Sequence, residues 1–438
     1  MLKQSAWVIS ANMGLGHQRA TYPLRHMAHE DIQLFGENVT SSKREKRLWR
    51  VFRNSYEFLS KTRQFWIIGP GLYNLLERLQ NISPYYPFRD QSRPSLQLKS
   101  LYSLISRGLG HGLSSMLSTK NLPVVTSFYA AAIAAEERTD LPVYCIICDS
   151  DINRAWVAEN PKKSRIIYFA PCGHALTRLK QYGVPDERIF LTGFPLPQEN
   201  IGGLDMPILK QDLAARLVRL DPIKRFRSIH GVEARHYLGS YWNPRDSDEP
   251  FTLSYTVGGA GAQAEIAGDV VHSLAPQILA GKVRLNLIAA HRNEVRQYFL
   301  KLIQKHGLTQ SDNIKVIYNA DKNLYFKEFN EALRTTDVLW TKPSELSFYC
   351  GLGIPIIIAP PIGPHEVFNR RWLRNLGAGL IQDDHKYCGE WLMEFLADGR
   401  LAQAAWDGFL YARKLGAYKI EEILETGNME RGYSPLKR

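Results

Sequence analysis

The sequence predicts an α/β protein whose parallel strands are divided between two domains. Ten short apolar runs alternate with stretches of helical periodicity, a pattern typical of parallel sheets with connecting helices. At 438 residues the chain is too long for one ordinary core, which favours two domains of roughly 150–200 residues each. The predicted strands are residues 6–10, 122–128, 142–148, 165–171 and 188–193 in the first half, and 251–259, 283–290, 314–319, 337–342 and 354–361 in the second.

The domain boundaries are predicted from composition. Residues 201–250 are dense in Pro, Gly and charged residues and lie between the two series of strands. We therefore expect an interdomain connection there, with one helix near 207–218. The span 388–430 has a helical pattern after the last predicted strand. The expected domains are 1–200 and 251–405, followed by a helical segment over 406–438 that packs back across both.

Composition bounds the class of protein and its compartment. No apolar run reaches 18 residues, which predicts no transmembrane helix, and the first residues lack the apolar stretch of a secretory signal. Five cysteines, an odd number, favour reduced thiols in a cytoplasm. Cys145 and Cys148 form a C-x-x-C pair inside a strand-like run with no second pair. This context favours buried strand cysteines over a zinc site.

The net charge of +12 is concentrated in one aromatic segment. Residues 41–93 contain eleven Lys/Arg and four Asp/Glu, and large aromatic side chains, including Trp49 and Trp66, are interleaved with them. This combination suits an anionic membrane surface, where rings lie at headgroup depth and cations meet lipid charge. A helical pair with a solvated basic face is the alternative. Nucleic acid is not expected, because no motif for it is present.

The first glycine-rich turn follows the first predicted strand. In WVISANMGLGHQRATYPL, residues 7–24, Gly14 and Gly16 precede a helix and His17 stands at its start. Exposed backbone N–H groups in such a turn suit an anion, and a histidine with an ordinary pKa near 6.5 suits proton transfer. A dinucleotide fingerprint would place a third glycine where Arg19 stands. A tight turn whose histidine only caps the helix remains the alternative.

A second glycine-rich turn, TVGGAGAQAEIAG, follows the first strand of the second half at residues 256–268. Its backbone N–H groups and the following helix dipole suit a pyrophosphate. If the two turns faced each other, they would line a shared cleft. The residues concerned are Gly258, Gly259, Ala260, Gly261 and Gln263.

A third motif identifies the family that the chain resembles. Residues 337–380 read DVLWTKPSELSFYCGLGIPIIIAPPIGPHEVFNRRWLRNLGAGL. The order of strand, Thr-Lys-Pro-Ser, helix, buried strand and Gly-Pro-His-Glu-x-x-Asn resembles the donor lobe of glycosyltransferases with two Rossmann-like lobes facing across a cleft, the GT-B fold. It is most similar to family 28. This family includes monogalactosyldiacylglycerol synthases, processive diacylglycerol glucosyltransferases and the N-acetylglucosaminyltransferase that forms lipid II.

The resemblance extends over nearly the whole chain. MGLGHQRA is similar to the family's N-terminal loop, and residues 148–196 are similar to its acidic pair, Trp, strand, helix and T-G-x-P. Residues 289–297 and 319–329 stand where the family contacts the nucleotide base, and 41–93 occupies the place of its lipid-facing insert. Residues 201–250 have no evident counterpart. The resemblance makes 1–200 the acceptor-binding domain and 251–405 the nucleotide-sugar domain.

The resemblance implies transfer of a hexose or N-acetylhexosamine from a UDP-sugar to a hydroxyl of a membrane lipid. It implies inversion, no metal, no cofactor beyond the UDP-sugar co-substrate, and a peripheral place on the cytoplasmic face of the cell membrane. His17 is the expected base, with Asp149 and Asp151 as a competing base or orienting partner, or as helix caps. The expected acceptor residues are Gly14, Gly16, Trp156, Trp66 and Trp49. The expected donor residues are Gly258, Gly259, Ala260, Gly261, Gln263, Arg292, Asn323, Leu324, Lys342, Ser344, Glu345, His365, Glu366 and Asn369.

The sequence departs from the family at the donor ribose. Phe348 occupies the place of the usual ribose-binding Glu, and Glu345, one turn earlier, is hypothesised to take over its role. The usual Gln-Glu pair is His365-Glu366. Two alternatives to the transferase therefore stay open, a non-catalytic nucleotide-sugar-binding protein and a nucleotide-sugar 2-epimerase of the same fold.

Overall fold

The computed structural model describes residues 5–38, 40–61, 82–245, 249–257, 263–430 and 434–437, with the side chains of 55–61 and 435 excepted. The chain divides into two compact units. Unit 1 comprises Met1–Pro195, Gly363–Phe368 and Leu415–Gly432, and unit 2 comprises Leu196–Ile362, Asn369–Lys414 and Tyr433–Arg438.

Unit 1 is built on a six-stranded parallel sheet with the order β2-β1-β3-β4-β5-β6. Its inner strands are short and almost entirely buried, as expected for a sheet covered on both faces. The strands are β1 Trp7–Ser10, β2 Gln33–Leu34, β3 Val124–Thr126, β4 Val143–Ile146, β5 Ile167–Phe169 and β6 Ile189–Phe190. The helices are α1 Leu15–Thr21, α2 Lys43–Lys61, α3 Leu96–Ser106, α4 His111–Leu117, α5 Tyr129–Arg138 and α6 Gly173–Gln181, with α15 Gly416–Thr426 from the C-terminal end.

Unit 2 contains a second six-stranded parallel sheet, with the order β12-β11-β10-β7-β8-β9. Read from β9, this is the 3-2-1-4-5-6 order of the Rossmann fold. The strands are β7 Phe251–Thr256, β8 Val283–Ala290, β9 Ile314–Tyr318, β10 Val338–Thr341, β11 Ile356–Ile358 and β12 Gly379–Ile381. The helices are α7 Pro207–Arg219, α8 Arg225–Leu238, α9 Ile266–Leu279, α10 Asn293–Lys305, α11 Lys322–Thr335, α12 Pro364–Leu376 (its first residues grouped with unit 1), α13 Cys388–Ala397 and α14 Arg400–Tyr411.

The predicted fold class is confirmed, and each of the ten predicted strands is present. The sheets contain two further strands, β2 and β12, of two and three residues. Both are edge strands and neither is fully buried, so no apolar run marked them in the sequence. The predicted cysteine burial is also confirmed: all five thiols are unpaired with one another and buried. Within the described ranges, no helix is both long and apolar enough to cross a bilayer.

Residues 201–250, predicted to connect the domains, lie in unit 2 and contribute α7 and α8. The Arg216 side chain of α7 is 1% exposed and donates hydrogen bonds only to backbone carbonyls, at the ends of α11 and of the 3₁₀ helix Glu345–Leu352. Burial lowers the pKa of Arg216 to about 10. One turn later Arg219 pairs with the buried carboxylate of Asp337 at 2.8 Å. The region is therefore fixed to the sheet as part of the unit.

The C-terminal end of the chain returns to unit 1 through α15. The backbone carbonyls of Gly193 and Phe194 lie directly against Gly416 at the start of this helix, so no side chain fits there. Further along, Glu421 pairs with His26 at 3.0 Å, and this hydrogen bond raises the pKa of His26.

Replacement of Arg216 by Met is expected to lower the free energy of unfolding by about 3 kcal/mol, because buried carbonyls at two helix ends lose their donor. Met keeps most of the apolar stem, so packing changes little. Chemical denaturation followed by circular dichroism measures the loss. The matched control is Arg235→Met on the exposed face of α8, expected to stay within about 0.5 kcal/mol of wild type. Equal denaturation midpoints for R216M and wild type would contradict the anchoring role.

Candidate functional site

The sheet of unit 1 places the first glycine turn at its topological switch point. The chain leaves β1 towards β2 on one side and later returns to β3 on the other, so the loops after β1 and β3 diverge at the carboxyl edge. Such a divergence is where open α/β sheets bind ligands. Gly14 lies in the turn after β1 with φ +96°, a conformation that favours glycine, and α1 begins at the next residue.

His17, in the first turn of α1, is fixed by the loop after β3. Its Nδ1 lies 2.7 Å from the backbone oxygen of Ser127, and the Ser127 hydroxyl donates back to the His17 carbonyl at 2.8 Å. Because a carbonyl only accepts, Nδ1 carries the hydrogen and the neutral ring has its lone pair on Nε2. The Cys148 sulfur, after β4, lies 3.8 Å from the same Nδ1. The imidazole therefore has the tautomer that a general base at Nε2 needs.

Aromatic rings surround this imidazole. Phe128 meets His17 edge to face at a centroid distance of 5.1 Å, and Trp156 lies at 6.1 Å. Trp156 is 7% exposed and packs on Tyr129. The structure thus brings together four of the predicted residues of unit 1: Gly14, Gly16, His17 and Trp156.

Trp49, predicted to meet the acceptor at the lipid-facing surface, lies in the core instead. Its ring is 2% exposed, packs against Phe35 and Phe128, and donates its Nε1–H to Glu37 at 3.1 Å. A side chain buried in this way cannot contact a membrane. The large apolar area of the indole is better covered by other rings than by water, which is why an aromatic residue in a basic segment can belong to the core. Trp66 lies outside the described residues.

Asp151 forms its hydrogen bond with His174 and not with His17. Its fully buried carboxylate forms two hydrogen bonds with Arg178, at 2.7 and 2.9 Å, and accepts a third from His174 Nε2 at 2.9 Å. Burial alone would raise the pKa of Asp151, but the hydrogen bonds from Arg178 and His174 outweigh it and lower that pKa. A carboxylate with this low basicity is a poor proton acceptor, and its hydrogen bonds hold it against Arg178 and His174. Asp149 is partly exposed at the same edge of the sheet.

Sequence reasoning missed His174 and Arg178. They stand four residues apart in α6, the helix that follows β5, and therefore share one helix face. The four-residue spacing of His174 and Arg178, in the helix that follows the predicted acidic pair Asp149 and Asp151, could have indicated this network from the sequence. Tyr85 covers the network: its ring stacks on His174 at a centroid distance of 3.8 Å, and the Arg178 guanidinium lies 5.1 Å from the Tyr85 ring centre.

The sheet of unit 2 has its switch point between β7 and β10. The predicted phosphate turn, Gly258, Gly259, Ala260 and Gly261, lies outside the described residues. Gln263 follows it with φ +67°, and its side-chain amide donates to the carbonyl of Pro360 at 2.8 Å. Lys342 follows β10 directly, and Ser344 and Glu345 begin the 3₁₀ helix after it. Lys342, Ser344 and Glu345 therefore lie at the carboxyl edge beside β7.

The predicted base-contacting residues lie after β8 and β9. Arg292 precedes α10, 3.3 Å from Glu294, and Asn323 and Leu324 are in the first turn of α11. The backbone N–H of Leu324 already donates to the Asp321 carboxylate at 2.9 Å, the usual satisfaction of a helix N-terminus. The backbone N–H of Leu324 is therefore already satisfied within the helix end, and the contact of this region with a base stays a prediction.

The remaining predicted donor residues stand at the start of α12. Glu366 is 2% exposed and Asn369 is fully buried, three residues further along the helix, whereas the His365 side chain is 39% exposed. Phe348, at the family's carboxylate position, is 2% exposed and packs on Trp372 at a centroid distance of 4.8 Å. Glu345, one turn earlier, is 8% exposed. Phe348 therefore makes an apolar contact at the position where the resemblance predicts a ribose-binding carboxylate.

Within the described part of the chain, no group of three or more His, Cys, Asp or Glu side chains is arranged to hold a metal ion. The D-S-D triplet at 149–151 looks like a metal motif in sequence. In the structure, however, the carboxylate of Asp151 accepts hydrogen bonds from Arg178 and His174.

Comparisons with known proteins bear on the same features. A family described as a domain of unknown function, DUF6938, matches residues 291–420. The chain is 21% identical over 448 residues to a processive diacylglycerol beta-glucosyltransferase of Bacillus cytotoxicus, with 98% of this chain and 96% of the relative covered. This similarity confirms the predicted resemblance to diacylglycerol glycosyltransferases.

Among solved structures, the chain is similar to S. aureus MnaA in complex with UDP. The TM-score is 0.50 at 12% identity, with 98% of this chain and 100% of that chain covered. It is also similar to a UDP-GlcNAc 2-epimerase from Neisseria meningitidis bound to UDP-GlcNAc, with a TM-score of 0.47, 13% identity and coverages of 96% and 100%. The match to MnaA supports the fold with two parallel sheets.

Replacement of Asp151 by Asn is expected to lower the free energy of unfolding at pH 7 by about 3–5 kcal/mol, because a buried guanidinium loses its counter-charge. Since the pKa of Asp151 is lowered on folding, its contribution is complete above the usual Asp value near 3.9. It is lost as the pH falls through the folded pKa. The difference between variant and wild type should therefore shrink in acid.

Denaturation at a series of pH values measures this difference. The control is Asp186→Asn, whose carboxylate is 73% exposed beside Lys180 and is expected to matter by less than about 1 kcal/mol. A D151N–wild-type difference that stays constant into strong acid would contradict the assignment.

Proposed function

We propose that the protein is a glycosyltransferase that moves a hexose from a UDP-sugar to a hydroxyl group of a membrane lipid. The observation that carries this proposal is the similarity to a processive diacylglycerol beta-glucosyltransferase over nearly the full length of both chains. The geometry of unit 1 supports it, since the switch point of the sheet holds an imidazole with the tautomer of a base.

The proposed transfer is a single displacement with His17 as the base. The acceptor oxygen forms a bond to the anomeric carbon as the bond from that carbon to the UDP oxygen breaks, and the acceptor proton moves to His17 Nε2. The Ser127 carbonyl keeps its hydrogen bond with Nδ1–H throughout and stabilises the imidazolium that forms. The acceptor proton is therefore held by His17, and the leaving group departs as the UDP anion.

Stabilisation of the leaving diphosphate is assigned to the residues predicted for the donor. Backbone N–H groups of the 258–263 loop and the positive end of the α9 dipole would receive its charge. Lys342, which follows β10, is proposed to assist them. Glu366 and Asn369, buried at the start of α12, are proposed to hold the sugar hydroxyls. With Phe348 in place of the family's carboxylate, Glu345 is proposed to bind the ribose.

The acceptor is proposed to be a diacylglycerol-type lipid. The relative's name supports this class of acceptor, and the basic, aromatic segment 41–93 supports a site of action at an anionic bilayer surface. The proposed location is peripheral, on the cytoplasmic face.

The test is a panel of nucleotide sugars incubated with the full chain and vesicles containing diacylglycerol, read by mass spectrometry. A glycosylated lipid is the expected product, and UDP-glucose is the first donor to try in view of the relative's name. Conversion of a UDP-sugar to its epimer without acceptor would select the 2-epimerase instead. Binding of UDP-sugar with neither turnover nor hydrolysis would select the non-catalytic sugar-binding protein.

Replacement of His17 by Ala is expected to lower kcat for the transfer by about 10²–10⁴-fold, the usual contribution of a general base. The KM for the UDP-sugar should change little, since His17 acts on the acceptor. Initial rates over a range of donor concentrations separate the two effects. The control is His111→Ala, an exposed histidine in α4, which should keep wild-type rates. An H17A rate within a few-fold of wild type would remove His17 as the base.

A further inference from the structure

A segment of unit 1 next to the Asp151 network presents three large apolar side chains to solvent. Tyr86, Phe88 and Leu96 are 61%, 63% and 66% exposed. They lie within residues 83–97, which we call the exposed segment. Single exposed apolar residues are ordinary on protein surfaces, but here the Tyr86 and Phe88 rings contact each other at a centroid distance of 5.1 Å, and Leu96 lies on the same segment. Clustered exposed apolar side chains mark interaction sites.

Buried side chains hold the backbone of the exposed segment in place. Arg178 donates to the carbonyl of Ser83 at 2.9 Å, and Gln181 donates to that of Tyr85 at 3.1 Å. Arg154 donates to the carbonyl of Ser92 through two nitrogens, at 2.7 and 2.9 Å. Because the backbone is anchored from inside, the exposed rings are presented by a fixed scaffold and ordering them costs little on binding.

A cavity of about 300 Å³ is lined in part by residues of the exposed segment, among them Arg89, which follows Phe88, and Ser95 and Gln97, which flank Leu96. Its volume is at the lower end of the range for ligand pockets. Its lining is polar and includes three arginines. The lining residues are Ser83, Arg89, Asp90, Gln91, Arg93, Ser95, Gln97, Asn153, Arg154 and Tyr182.

The charges of this cavity favour an anion. Arg154 is 7% exposed, and its hydrogen bonds go to backbone carbonyls, so within the described residues no ion pair neutralises its charge. Arg89 and Arg93 are exposed and likewise form no ion pair there. The lining contains one carboxylate, Asp90, which accepts the N–H of Ser92 at 2.8 Å, and the acidic Glu159 also acts on Arg154 from outside the lining.

The first turn of α3 adds to this field. Ser95 is the N-cap of that 11-residue helix, and the positive end of the helix dipole lies at the cavity. Guanidinium groups match the geometry of phosphate oxygens, and together with a helix N-terminus they form the usual chemistry of phosphate recognition.

We propose that this cavity binds the phosphate group of an anionic phospholipid while Tyr86, Phe88 and Leu96 enter the headgroup region of the bilayer. Rings at that depth with arginines beside them are the arrangement that membrane interfaces favour. This proposal rests on the proposed function, because only a lipid acceptor brings the protein to a bilayer. It assigns the membrane contact to a pocket formed partly by the basic segment 41–93 and partly by residues that follow it. A soluble phosphate ester shares the phosphate chemistry but gives the three exposed apolar side chains no partner.

The test measures binding of the full chain to vesicles without any sugar donor. Vesicles of phosphatidylcholine, with or without phosphatidylglycerol, are sedimented with the protein at several salt concentrations. Wild type should bind the anionic vesicles and lose affinity as salt rises. The double variant Arg89→Gln/Arg93→Gln should partition roughly 30-fold less, at about 1 kcal/mol for each cation near such a surface.

Two further variants make the outcome specific. Tyr86→Ser/Phe88→Ser should weaken vesicle binding by roughly tenfold or more, whereas Arg107→Gln, an exposed arginine after the other end of α3, should stay within about twofold of wild type. Vesicle binding unchanged in R89Q/R93Q would overturn the proposal. So would binding of glycerol 3-phosphate through Arg89 and Arg93 with vesicle binding unchanged in the serine variant, because the ligand would then be a soluble ester.

Failure of this proposal and failure of the transferase assignment are distinguishable. The vesicle assay scores no turnover, so a protein that binds through Arg89 and Arg93 yet transfers no sugar would reject the enzyme and keep the pocket. A protein that transfers sugar but whose vesicle binding is unchanged in R89Q/R93Q would keep the enzyme and reject the pocket.

Discussion

Parallel strands bring every strand-to-helix loop of a sheet to one edge, and this constraint decides where the chemistry of each unit lies. In unit 1 the loop after β1 supplies His17 and the loop after β3 supplies the carbonyl of Ser127 that fixes its tautomer. The loop after β4 adds Cys148 and Asp151, and α6 after β5 adds His174. Residues as far apart in the chain as His17 and Cys148 therefore meet at one edge. The same rule places Lys342 beside the end of β7 in unit 2.

Buried guanidinium groups are the second recurrent device. Arg154, Arg178 and Arg216 each donate to backbone carbonyls in loops or at helix ends, and within the described residues only Arg178 of the three pairs with a carboxylate. A planar group with five donors can serve several carbonyls at once, which an ammonium group does less well. In unit 1 these hydrogen bonds hold the backbone of the exposed segment from inside, while its Tyr86 and Phe88 side chains face solvent. In unit 2 it holds a region without a family counterpart against the sheet.

The position of Phe348 separates this chain from the family pattern in physical terms. A carboxylate buried against Trp372 would need a donor or a bound ribose to offset its desolvation, whereas a phenyl ring is stable there without a ligand. In the proposed function the ribose contact is therefore assigned to Glu345, the carboxylate one turn away in the same 3₁₀ helix.

The sequence by itself determined the fold class, ten of the twelve strands found in the described residues and the turn that carries His17, because these depend on local periodicity and on glycine. It also indicated a basic, aromatic surface in 41–93. Only the tertiary structure decided which of those aromatic side chains is exposed: Trp49 is buried under other rings, whereas Tyr86 and Phe88 face solvent. The tertiary structure also pairs Asp151 with His174 and Arg178. It places Arg154 in the lining of the same cavity as Arg89 and Arg93. These pairings join residues tens of positions apart, and a linear pattern carries no information about which distant side chains the packing of helices on a sheet will bring into contact.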